Sequence, residues 1–236
     1  MAVAQKKKEV IATGVPEVDE KLGGGIPLGS LCLVEGHADS GKSVLCQHLT
    51  HGTLSTGETC VAYYTTENSI KSLIAQMDSL SLYTLDYFLC DHLRIFPLSF
   101  TRGTPQGIFK LLTCHFSSLP TEFKLIIIDS ITLLVSHSKA MSIIDFFAEC
   151  KSLCETGRSV ILVAHSYAFE EEILSRTRSV CDARLKLRLE AVGDRMIKLL
   201  EVLKVRGADR PTGDVVSFDV EPKLGMRIIP LSKARV

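Results

Sequence analysis

The chain has 236 residues, 46% of them hydrophobic, and its 27 basic and 27 acidic side chains cancel. That length suits one α/β domain better than two, so residues 1–236 are read as a single unit with a flexible tail over 1–10. The balanced charge lacks the basic footprint of non-specific nucleic-acid binding. No apolar run approaches the ~20 residues of a membrane-spanning helix. Lys6, Lys7 and Lys8 are followed by no apolar signal core, which points to a cytoplasmic protein with a solvated lysine tail.

In chain order, Leu22–Gly29 (Leu-Gly-Gly-Gly-Ile-Pro-Leu-Gly) is a turn-rich approach to an apolar strand at 30–35. Cys60–Thr65 reads as a second strand, and Ile70, Leu73, Ile74 and Met77 then share one helical face. Ser79–Leu89 is predicted helical and partly buried, His92–Leu98 a strand, and Gln106–Phe116 a helix. Phe123–Ile128 is a continuous apolar strand expected inside the sheet. A helix through Ala140, Ile143, Ile144, Phe147, Cys150 and Cys154 stops at Gly157, and Ser159–Ala164 is another core strand. Tyr167–Arg178 is expected as a polar loop.

Strict polar and apolar alternation from Asp182 to Glu190 marks a half-exposed strand. A turn at Gly193-Asp194 returns the chain as Arg195–Val205, and Val215–Val220 with Met226–Ile229 forms a last hairpin. The fold class is therefore α/β: a mostly parallel central sheet with helices on both faces and an antiparallel C-terminal extension. Of the eight cysteines none stands in a C-x-x-C pair. Cys150 and Cys154, four apart, favour packing over metal or redox chemistry.

Residues Gly36-His37-Ala38-Asp39-Ser40-Gly41-Lys42-Ser43, followed by Val44, spell a complete G-x-x-x-x-G-K-[ST] phosphate loop between a strand and a helix. Its backbone N–H groups and the helix N-terminus converge on one point, which suits a polyphosphate. Lys42 would reach the β- and γ-phosphates, and the Ser43 hydroxyl would take one position on Mg²⁺. Only one such loop occurs, so a tandem of two nucleotide domains is excluded. Asp129 ends the apolar strand where a carboxylate orients Mg²⁺ through water; capping the next segment is its plainer role. Glu67, placed at the start of the next helix, is a candidate general base or a helix-start residue favoured by the dipole. His165 is a candidate γ-phosphate sensor or a satisfied strand-end histidine. Lys204 and Arg206, beside Gly207, read from the residues alone as solvated edge-strand charges.

These marks together make the chain resemble the RecA-like ATPases of the KaiC type. They are Leu22-Gly-Gly-Gly-Ile-Pro, Thr65-Thr66-Glu67, Ile128-Asp129-Ser130 and Lys204-Val205-Arg206-Gly207. Phe169-Glu-Glu-Glu, Ser217-Phe-Asp-Val-Glu-Pro-Lys-Leu-Gly-Met and Ile229-Pro-Leu-Ser are similar to its archaellum (archaeal flagellum) branch. The resemblance implies ATP with Mg²⁺, a six-fold ring, and Lys204 with Arg206 acting on a neighbour's nucleotide. It also implies contact with the archaellum motor ATPase, the membrane platform protein and the cytoplasmic scaffold at the membrane base. Many KaiC-type chains carry two glutamates where this one has Glu67-Asn68, which implies weak water activation. A regulatory, slowly hydrolysing ATP-binding component is therefore expected, with an active ATPase using Glu67 as the alternative. A DNA recombinase fits poorly, because Glu170, Glu171 and Glu172 lie where DNA would pass.

Overall fold

A computed structural model describes residues 9–57, 59–99, 104–193, 195–212 and 215–229. The lysine run at 6–8, Asp194 of the expected turn and Pro230–Ser232 lie outside them. The elements are β1 (Val10–Ile11), α1 (Pro16–Lys21), β2 (Ile26–Pro27), β3 (Leu31–Gly36), α2 (Lys42–Leu54), β4 (Cys60–Thr65), α3 (Ile70–Ser79), α4 (Leu85–Leu89) and β5 (Leu93–Pro97). They continue with α5 (Pro105–Ser118), β6 (Phe123–Asp129), α6 (Thr132–Ser136), α7 (Ala140–Glu155), β7 (Ser159–His165), α8 (Glu171–Val180), β8 (Ala183–Val192), β9 (Arg195–Val205), β10 (Val215–Glu221) and β11 (Gly225–Ile228).

Among the described residues the main sheet has nine strands in the order β11-β10-β9-β8-β3-β7-β6-β4-β5. From β5 to β8 all neighbours run parallel, and from β8 through β9 and β10 to β11 each neighbouring pair is antiparallel. Alternation along each strand sends side chains to two cores. Cys32 and Val34 of β3 pack with Leu45 and Leu49 of α2 and with Leu73 and Met77 of α3. Leu31 and Leu33 pack on the other face with Phe116 of α5, Phe147 and Cys150 of α7, and Leu174 of α8. Ile126, Ile127 and Ile128 are fully buried, as an interior strand covered on both faces requires.

Three sequence expectations change. The Leu22–Gly29 approach contains the short strand β2, which pairs with β1; Gly25 permits it, because a Cβ there would lie 2.8 Å from the Ile11 carbonyl. Ser79–Leu89 is not one helix: α3 ends at Ser79, Ser81 takes a positive φ of 59°, and only Leu85–Leu89 resumes. The apolar side chains at 80 and 82 are buried by that turn rather than by helical periodicity. Tyr167–Arg178 is not a loop but a 3-10 turn (Ser166–Ala168) followed by α8. Ile173, Leu174 and Thr177 supply its buried stripe, and the acidic first turn (Glu171, Glu172) and basic last turn (Arg178) suit the helix dipole.

Candidate functional site

The phosphate loop joins β3 to α2 at the carboxyl edge of the parallel strands. Gly36 is fixed by close approach: a Cβ there would lie 2.1 Å from the Leu187 carbonyl of β8. Gly41 caps α2 with a left-handed φ of 93°, and its Cα faces the Phe218 ring, 3.0 Å from where a Cβ would stand. Asp39 also has a positive φ, 57°. The loop closes on itself through the Ser40 hydroxyl, which donates to the His37 carbonyl at 2.8 Å, and through the Lys42 ammonium, which donates to the same carbonyl. Burial lowers the Lys42 pKa, and the Asp129 and Glu67 carboxylates act against that shift.

The loop opens into a cleft of about 500 Å³ lined by Ala38, Asp39, Gly41, Lys42, Ser43, Val44, Glu67, Asp129, Ser130, His165, Lys198 and Val220. Residues from six separate stretches of chain thus meet at one sheet edge. Asp129 ends β6, is buried, and accepts a 2.9 Å hydrogen bond from the Tyr63 hydroxyl of β4. Burial raises its pKa, while hydrogen bonds from Ser43 and Tyr63 oppose the rise. Asp129 makes no cap; Ile131 occupies that position ahead of α6. The oxygen donors Ser43 and Asp129, hydrogen-bonded to each other beside the loop, suit a hard divalent cation such as Mg²⁺.

Glu67 is exposed on the bend between β4 and α3, and not on the helix itself. Ser69 is the residue that caps α3, its hydroxyl accepting from the Ser72 N–H. Asn68 faces away from the cleft chemistry: its Oδ1 accepts from Ser72 at 2.9 Å and from Gln76 at 2.8 Å. His165 ends β7, with Nδ1 3.2 Å from the Thr132 hydroxyl and its ring stacked on Tyr167 at 5.0 Å. Burial, then the nearby Lys42 charge, lowers its pKa, with the Glu67 carboxylate acting the other way.

A family model described as ATPase, KaiC matches residues 11–233. The archaeal flagellar ATP-binding protein FlaH of Sulfolobus acidocaldarius is 32% identical over 231 residues, 96% of this chain and 99% of that protein. The chain belongs to the KaiC-type ATPase family, in its FlaH branch. The crystal structure of the flagellar accessory protein FlaH from Methanocaldococcus jannaschii superposes with a TM-score of 0.83 at 26% identity, covering 95% of this chain and 100% of that one. The KaiC-like protein PH0186 of Pyrococcus horikoshii shares the fold at a TM-score of 0.76 and 17% identity over 94% of this chain. The doubly covered, mostly parallel sheet is accordingly the RecA-like fold.

In this KaiC-type chain Lys204 and Arg206 stand apart from the cleft. Lys204 pairs with Arg184, and Arg184 with Leu33, so both lie toward the start of β3 rather than its loop end. The Lys204 ammonium donates to the Cys181 carbonyl at 2.6 Å, and Arg206 is exposed, 3.7 Å from Asp182. They are at the opposite edge of the sheet from Lys42. β9 is also no edge strand, since β8 and β10 flank it.

Three further features of the KaiC-type site escaped the sequence reading. Tyr63 supports Asp129 from the adjacent strand, which alternation in Cys60–Thr65 alone does not single out. Lys198 reaches the cleft from β9 and pairs with Asp219 at 3.4 Å. Glu35, immediately before the loop, is fully buried and paired with Arg178 and Arg184; the signal was a charge in an otherwise apolar strand.

Proposed function

We propose that this protein is an ATP-binding regulatory and assembly component of the archaellum motor, cytoplasmic and peripheral at its membrane base, with slow or no hydrolysis. The observation that carries the reading is the convergence of Lys42, Ser43, Asp129 and His165 on one cleft behind a complete phosphate loop. The loop amides and Lys42 would hold the polyphosphate, while Ser43 and Asp129, the latter through water, would hold Mg²⁺. Mg²⁺ would supply charge neutralisation between the phosphates. The names of the FlaH relatives support ATP as the nucleotide and the archaellum as the setting.

Slow turnover is supported by the surroundings of Glu67, the exposed carboxylate of the 65–68 segment, whose neighbour Asn68 is committed to α3. Lys204 and Arg206, at the far edge of the sheet, would serve the nucleotide of another copy in a head-to-tail, hexameric ring. One domain, the motor ATPase, the platform protein and the scaffold complete the proposal; neither nucleic acid nor membrane insertion is part of it. Calorimetry with Mg-ATP on wild type and Lys42→Ala tests the core of it. Loss of binding and of nucleotide-dependent assembly together is expected; a Lys42→Ala protein that binds or assembles like wild type refutes it.

A second reading, an active ATPase with Glu67 as general base, is favoured by Glu67 lining the same cleft as Lys42 and Asp129. A steady-state turnover assay on the assembled protein separates the two: under this reading Glu67→Gln abolishes the rate, and an unchanged rate refutes the catalytic assignment.

A further inference from the structure

Glu35 is the one carboxylate within β3, a strand whose other side chains are apolar, and it is fully buried. Alternation places it on the face of Leu31 and Leu33, beneath the phosphate loop rather than in the cleft. A buried carboxylate is costly unless its oxygens are matched. Here Arg178 of α8 supplies a two-point grip, Nε to Oε1 at 3.0 Å and Nη2 to Oε2 at 2.6 Å. Arg184 of β8 approaches Oε1 at 3.5 Å, and the Ser166 hydroxyl stands at the same distance from Oε2.

Stability does not account for this cluster, because apolar side chains of similar volume commonly stabilise a core as well as a buried ion pair does. What a planar, two-point pair adds is orientation. The elements it orients are informative. Only Phe169 and Glu170 separate α8 from the 3-10 turn Ser166–Ala168, and that turn follows His165, whose ring stacks on Tyr167 within it. The carboxylate therefore ties the residue just before the loop, through α8, to the segment that sets His165 against the cleft.

We propose that Glu35 is a positioning residue of the phosphate site, which with Arg178 holds α8 and the 166–168 turn so that His165 stays at γ-phosphate height. This rests on the reading of the cleft as an ATP site, with the γ-phosphate on the His165 side. Glu35 touches no nucleotide itself. Its effect falls on the discrimination of ATP from ADP, which differ only in the group that His165 would meet.

The test is calorimetry of Mg-ATP and Mg-ADP on the full chain, for wild type, Glu35→Gln, Arg178→Gln and the double variant. Each single change is expected to shrink the preference for ATP over ADP about fivefold or more while ADP affinity stays within about twofold. The double variant should lose no more than the stronger single one, as members of one unit do. A merely structural role would weaken both nucleotides alike and leave the ratio unchanged, and that result overturns the proposal. So would additive losses, or a wild type that binds both nucleotides equally. A wild type that binds neither overturns the reading of the cleft itself, and this proposal with it. Should Glu35→Gln fail to fold, the same ratio is read on Arg178→Lys, where the counter-charge remains and the two-point grip is lost.

Discussion

His48 makes the stability of this protein depend on pH in a way that can be worked from its surroundings. It lies in α2, one face from the phosphate loop, and is buried; its Nε2 accepts the Met226 N–H at 2.9 Å, so the neutral ring carries its proton on Nδ1. The hairpin turn is pressed onto it, since a Cβ at Gly225 would lie 2.5 Å from that nitrogen. Burial lowers the His48 pKa from 6.5 to about 4, with a backbone hydrogen bond to Thr13 acting weakly the other way. The folded state thus favours the neutral ring, while the unfolded chain protonates at the ordinary pKa. The resulting stabilisation is fully present above pH 6.5 and is lost as the pH falls toward about 4. A gap of roughly 2.5 units at about 1.36 kcal/mol each amounts to about 3 kcal/mol, of which roughly 2.5 is already lost by pH 4.5. Gln keeps an acceptor near the Nε2 position and does not titrate. In urea unfolding from pH 7.5 to 4.5, wild type should lose about 2 to 3 kcal/mol more than His48→Gln, all other groups cancelling between the two proteins. Parallel stability profiles would show that His48 is not held neutral by this packing.

Gly36→Ala should prevent the loop from seating, because its methyl would meet the Leu187 backbone at 2.1 Å; a loss of roughly 3 kcal/mol or more is expected in chemical denaturation. Tyr63→Phe removes one of the hydrogen bonds to buried Asp129, costing about 1 to 3 kcal/mol and raising the carboxyl pKa further, visible as weaker Mg-ATP binding at mildly acidic pH. Leu174→Ala, at a buried position of α8, should destabilise by about 2 to 5 kcal/mol. A change within about 0.5 kcal/mol would mean that 171–180 is a surface loop after all.

Much of this architecture is written in local pattern. The phosphate loop, the apolar run ending at Asp129, the alternation after Asp182 and the Gly157 stop each rest on neighbouring residues, and each element formed where those residues placed it. Convergence of the loop, Glu67, Asp129 and His165 followed from one rule, that parallel strands share a carboxyl edge. The failures have a common cause. α8 carries so many charges that its three-residue buried stripe was outweighed, and the break near Ser81 depends on tertiary burial of Leu80 and Leu82. Glu35, Lys198 and Tyr63 matter through partners 143, 21 and 66 residues away, and no window along the chain reveals such a partner.

The placement of Lys204 and Arg206 carries a consequence in mass action. Lys204 lies level with Leu33 and Arg206 near Leu31, so three to five strand steps of about 3.3 Å stand between these cations and the Gly36 that opens the loop of the same chain. In the proposed ring, whatever charge they lend to a phosphate loop would be lent to a different molecule. Nucleotide retention would then weaken on simple dilution, so that the concentration of the protein sets its own grip on the ligand.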